Sequence, residues 1–160
     1  MNALHLDGWQ RHDWNLGNRS VTVSQCEPFR WSWLATKLVT YVFVVQDAPD
    51  SYASLLDDYD ALRGFARDHK KTRIPFSLQA GFALLPIYVG DNFDLELVSQ
   101  IESTYKKRWC VMHIPSIFDT QTNTCHTLGV NFFWGCVYRD FVPDTIRRVA
   151  QQLQPPRKVA

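Results

Sequence analysis

Two apolar runs, LVTYVFVVQ at 38–46 and GFALLPIYVG at 81–90, constrain this chain more than any other feature. Each is apolar at consecutive positions, not only at alternate ones. A strand of that kind is covered on both faces, as a central strand of a parallel sheet is. Between them, DAPDSYASLLDDYDALRGFARDHKK repeats Leu55, Leu56, Tyr59, Leu62 and Ala66 at helical spacing. Asp50 or Ser51 serves as its cap, and basic residues gather at its end, where the helix dipole favours them. Strand, helix and strand of these lengths make a right-handed parallel crossover.

The pattern then repeats. DNFDLELVSQIESTYKKR sets Leu97, Val98, Ile101 and Tyr105 on one stripe. WCVMHIPSIF reads as a third strand, DTQTN as a polar turn and TCHTL as a return strand. VNFFWGCVYRDF is a further strand or a buried loop, and VPDTIRRVAQQL is a helix with Ile146, Val149 and Leu153 inward. Ahead of the first run, RSVTVSQ makes a short strand. The expectation is one α/β domain over residues 1–154, a mixed sheet with a central βαβαβ unit, an antiparallel hairpin and a C-terminal helix. An aromatic-rich, loop-rich arm is expected at 1–33 and a flexible tail at 155–160. Pro86 and Pro115 strain this reading, because proline donates no ladder hydrogen bond. Regular strands that begin near Ile87 and end near Ile114 would accommodate both.

A chain of 160 residues is long enough for one sizeable core. Its net charge of +1 gives no general pull toward nucleic acid or anionic lipid, so nucleic-acid binding is disfavoured. The longest apolar stretch, LATKLVTYVFVV, is too short to span a bilayer and contains Lys37, so no membrane association is expected. The N-terminus lacks the basic and apolar segments of a secretory signal, and the four cysteines at 26, 110, 125 and 136 form no close pair. Reduced thiols and a cytoplasmic location follow as expectations.

Candidate chemistry falls in three places. Cys110, His113, Cys125 and His126 suggest zinc at first, but strand alternation sends Cys110 and His113, and likewise Cys125 and His126, to opposite faces. No metal site is expected there, and packing is the simpler role for the cysteines. Asp47, Asp91 and Asp119 each follow an apolar strand. At the carboxyl edge of a parallel sheet they could converge on a divalent cation or a water, which would make the protein a metal-assisted hydrolase or nuclease. Capping and turn formation account for the same residues by local means. No phosphate-binding glycine pattern is present, and no cofactor is expected.

The third place is aromatic. Trp9, Trp14, Trp31 and Trp33 stand among polar and charged residues and suit an interaction surface, although an arm folded over the sheet would use them equally. Basic clusters at Arg67–Arg73 and Lys106–Arg108 sit at helix ends, where the dipole alone explains them. The leading expectation is a non-catalytic interaction or accessory protein with a protein partner or a homodimeric association. The strand-end carboxylate enzyme is the alternative.

Overall fold

The computed structural model describes residues 6–28, 37–49, 51–71, 80–103, 107–108, 111–129 and 140–154. Among these, eight strands form one mixed sheet and three helices cover it. The strands are β1 (Gln10–Leu16), β2 (Arg19–Cys26), β3 (Lys37–Gln46), β4 (Ala80–Gly90), β5 (Lys107–Arg108), β6 (Val111–His113), β7 (Ser116–Asp119) and β8 (Thr124–Thr127). The helices are α1 (Tyr52–His69), α2 (Leu95–Ser103) and α3 (Phe141–Leu153). The chain is an α/β protein with the expected βαβαβ centre, β7–β8 hairpin and C-terminal helix. No described helix is long and apolar enough to cross a membrane.

The two apolar runs are the central strands. β3 and β4 pair in parallel from Lys37↔Ala80 to Gln46↔Val89. Alternate residues of β3 go to opposite sides. Val39, Tyr41, Phe43 and Val45 pack against Leu55, Leu62 and Phe65 of α1 and Leu97 and Ile101 of α2. Leu38, Val42 and Val44 pack with Val142, Ile146 and Val149 of α3. Ser51 is the α1 cap, its hydroxyl accepting from the Ser54 amide at 3.3 Å.

Residues 10–16 depart from the expected arm. They form β1, paired antiparallel with β2 from Gln10↔Gln25 to Leu16↔Arg19. The two-residue loop Gly17–Asn18 joins them, with Gly17 at φ 63, the backbone that a type II′ turn requires at its first position. His12, Trp14 and Leu16 face α1, whereas Arg11, Asp13 and Asn15 are exposed on the other side or at the margin.

Pro115 falls where expected, just past a strand that ends at His113, but Pro86 does not mark a strand start. β4 runs straight through Pro86, and its ladder to β3 continues with Phe43↔Pro86. The third strand is the one that breaks. β6 pairs with β4 as far as Leu84↔His113, and β7 resumes at Ile87↔Ser116. This offset sets Pro86 opposite Pro115. The Leu84 carbonyl accepts from the Ile114 amide at 3.0 Å, so even-numbered groups of β4 turn toward the third strand. Pro86 therefore lacks its donor only on the side where the neighbouring strand is already interrupted. The segment VNFFWGCVYRDF lies outside the described residues over 130–139, as do Trp31, Trp33, Cys110, Cys136 and the tail at 155–160.

Candidate functional site

The carboxyl ends of β3 and β4 open into a cleft of about 380 Å³, lined by Asp47, Gly90, Asp91, Asn92, Phe93 and Asp94 among others. The sequence places Asp47 and Asp91 there because each follows a buried strand at once. The chain turns sharply at both exits: Asp47 has φ 61 and Asn92 φ 55. Gly90 lets Phe93 close against the strand, since a Cβ at Gly90 would stand 3.0 Å from the Phe93 ring. Asp94 is spent on α2, its carboxylate accepting from the Glu96 amide at 3.0 Å.

Asp119 does not join that cleft as a third free carboxylate. It stands beside Gly90 in the ladder, but its side chain binds its own hairpin turn. It accepts from the Gln121 amide at 2.8 Å, the Thr122 amide at 3.4 Å and the Thr122 hydroxyl at 2.8 Å. Desolvation raises this carboxyl, but the hydrogen bonds from Thr122 and Gln121 and the nearby His126 outweigh it, and the group lies below its ordinary range. No group of three or more His, Cys, Asp or Glu side chains that could hold a metal occurs among the described residues. Of the three carboxylates that the sequence offers as an alternative site, Asp47 and Asp91 share the cleft and Asp119 serves its turn, the local role that the sequence also allows.

The lowered Asp119 value carries a sign. A depressed carboxyl stabilises the fold above its unfolded value and loses that contribution as pH falls through the folded one. Asp119→Ala is expected to lower the melting temperature at pH 7, and the gap from the parent should close below about pH 4. Thermal denaturation across that range checks this; a gap independent of pH would contradict it.

Cys125 and His126 behave as strand alternation requires, while Cys110 lies outside the described residues. Cys125 packs with the α3-side core, and His126 points the other way to bond the Glu102 carboxylate of α2 at 2.9 Å. His113 is buried with its ring against Tyr59, at 5.0 Å between centroids. Burial pushes the Cys125 thiol up to about 11. Burial also pushes the Cys26 thiol up to about 12, against a lowering hydrogen bond from Thr40. Burial thus disfavours the thiolate form at both.

Of the four candidate tryptophans, two are described. Trp14 is half-buried against the α1-side core, its ring 4.8 Å from that of Phe65. Trp9 packs on the α3-side core and lines a cleft of about 360 Å³ with Asp140, Phe141, Asp144 and Arg148. Both rings pack on the core with part of their surface open to solvent.

Two features escaped sequence reasoning. One is a polar cluster under the hairpin. Arg19 at the start of β2 bonds one oxygen of Asp58 on α1, and the Tyr88 hydroxyl of β4 donates to the other at 3.0 Å. Burial, then the Asp58 charge and hydrogen bond, hold the Tyr88 hydroxyl protonated far above its usual range. The other feature is the free side of β1, which pairs with β2 alone among the described residues.

The hydrogen-bond phase of that free side follows from the turn. A two-residue loop closes on a hydrogen-bonded pair, here Leu16↔Arg19. By alternation Gln10, His12, Trp14 and Leu16 bond to β2. Arg11, Asp13 and Asn15 then turn their amides and carbonyls outward. No protein-family model, curated protein or solved structure matches the chain.

Proposed function

We propose that this protein is a non-catalytic interaction protein that receives an extended strand along the open edge of β1. The observation that carries this reading is the outward row of backbone groups at Arg11, Asp13 and Asn15, on a seven-residue strand without proline. An edge that no other described strand pairs is a template for another strand, with main-chain hydrogen bonds supplying the affinity. Trp14 and Leu16 give the edge an apolar floor on the α1 side. Cys26 and Cys125 are free thiols, in keeping with a reducing, cytoplasmic setting.

The test uses a photo-crosslinking side chain at Asn15 in the full chain, activated in the native host. Asp13→Pro removes an outward amide without touching the β1–β2 ladder, as edge prolines do. The expected result is a discrete adduct that falls at least about tenfold with Asp13→Pro, as the loss of edge hydrogen bonds implies. An adduct that persists undiminished in the proline variant would sink the reading.

A further inference from the structure

We propose that the strand received by β1 is β1 of a second copy, paired antiparallel about a two-fold axis that passes beside His12. This rests on the reading of β1 as a docking edge and goes beyond it by naming the occupant and the register.

The register follows from two independent constraints. The first is backbone phase. A two-fold axis normal to the sheet makes the two β1 strands antiparallel and the interface isologous. Hydrogen-bonded pairs can then form only between residues whose amides and carbonyls point outward, namely Arg11, Asp13 and Asn15. Placing Arg11 opposite Asp13 of the second copy meets this condition, as does its symmetry mate. The two pairs exchange four backbone hydrogen bonds, and His12 faces its own counterpart as the non-hydrogen-bonded pair between them.

The second constraint is charge. Arg11 and Asp13 lie on the same face of β1 and already form an exposed ion pair at 3.1 Å within the chain. In the proposed register each Arg11 gains a second carboxylate across the axis. The four charges alternate around a square. Sliding the strands by one pair sets Arg11 against Arg11 in one direction and Asp13 against Asp13 in the other. Like charges directly opposite one another destabilise a strand pair. The short sequence Arg11–His12–Asp13 is therefore self-complementary in one register and repulsive in the adjacent two.

Sedimentation velocity of the full chain tests the idea. A single strand pair is a small interface, so a reversible dimer is expected within about 5 to 500 µM. Arg11→Asp should weaken it at least about tenfold, and Arg11→Asp combined with Asp13→Arg should return it to within about threefold, because the exchange restores the alternation. Mild oxidation reads the register. His12→Cys should yield a disulfide-linked dimer, since facing non-hydrogen-bonded residues stand close enough to bridge. Arg11→Cys should not, because Arg11 faces Asp13 and not itself.

A wild-type chain that stays monomeric throughout the range overturns the proposal. So does a double variant as weak as the single one, or equal cross-linking at 11 and 12. A monomeric chain that still gives a proline-sensitive adduct of another mass from the Asn15 probe would remove the second copy and leave the docking edge standing. Loss of that adduct as well would remove both.

Discussion

Asp58→Ala is expected to cost about 3–5 kcal/mol of folding stability, a large share of the roughly 5–15 kcal/mol that holds a domain of this size together. Asp58 is buried on the sheet side of α1, and it neutralises an Arg19 side chain that is itself only 20% exposed. Its removal strands a guanidinium beneath the hairpin. One nitrogen of that group, Nη1, already has no hydrogen-bond partner among the described residues. The Tyr88 hydroxyl loses its acceptor at the same time. The whole cost arises from leaving partners unpaired, so replacing the entire network by apolar groups should recover most of it. The triple variant Arg19→Met, Asp58→Leu and Tyr88→Phe is therefore expected to unfold at nearly the parent urea concentration. A single Asp58→Ala variant within about 1 kcal/mol of the parent in urea denaturation would show that the cluster does not tie the hairpin to α1 and β4.

Phe43→Ala should produce a loss of similar size, about 3–5 kcal/mol, for a different reason. Phe43 is fully buried at the centre of β3, with the rings of Phe65 at 5.9 Å, Tyr41 at 6.0 Å and Trp14 at 6.4 Å. Truncation leaves a cavity walled by two strands and a helix, none of which can collapse into it without breaking a ladder. Phe43→Leu keeps most of the volume and should cost about 1–1.5 kcal/mol. Urea denaturation of the pair separates the two outcomes. Equal losses would mean that the site relaxes freely and that the aromatic cluster is not close-packed.

These residues also show what the sequence could and could not reveal. β3, α1, β4 and α2 were legible because burial on both faces of a strand, or along one stripe of a helix, imposes a pattern on consecutive residues. Asp47 and Asp91 were legible as cleft residues because a side chain just beyond a central strand must emerge at its carboxyl end. β1 was missed because only His12, Trp14 and Leu16 of QRHDWNL face the core, so the segment reads as polar. Its signal was Gly17–Asn18, a two-residue hairpin loop flanked by Leu16 and Arg19. Asp58 was within reach too. It lies three residues after Leu55 and four before Leu62, on the buried stripe itself, where a carboxylate demands a partner. That the partners would be Arg19 and Tyr88 was beyond the sequence, since their meeting depends on how the hairpin, α1 and β4 assemble. Asp119 was placed at the correct strand end, but turn hydrogen bonds, which act over two or three residues, took it before any ligand could.

Pro86 and Pro115 empty opposite sides of the third strand at one level. The Ile114 amide turns toward β4, so by alternation the nitrogen of Pro115 turns away from it. On that outer side β5 pairs only with Val111 and Met112, and β8 pairs only from Ser116 onward. Pro115 thus falls where the outer neighbour changes from one strand to the other. Pro86 removes a donor on the inner side at the same level, where β6 gives way to β7. With each lost hydrogen bond worth about 1 kcal/mol, two residues that look like flaws in a strand stand where the sheet hands over between short strands and forgoes few ladder bonds.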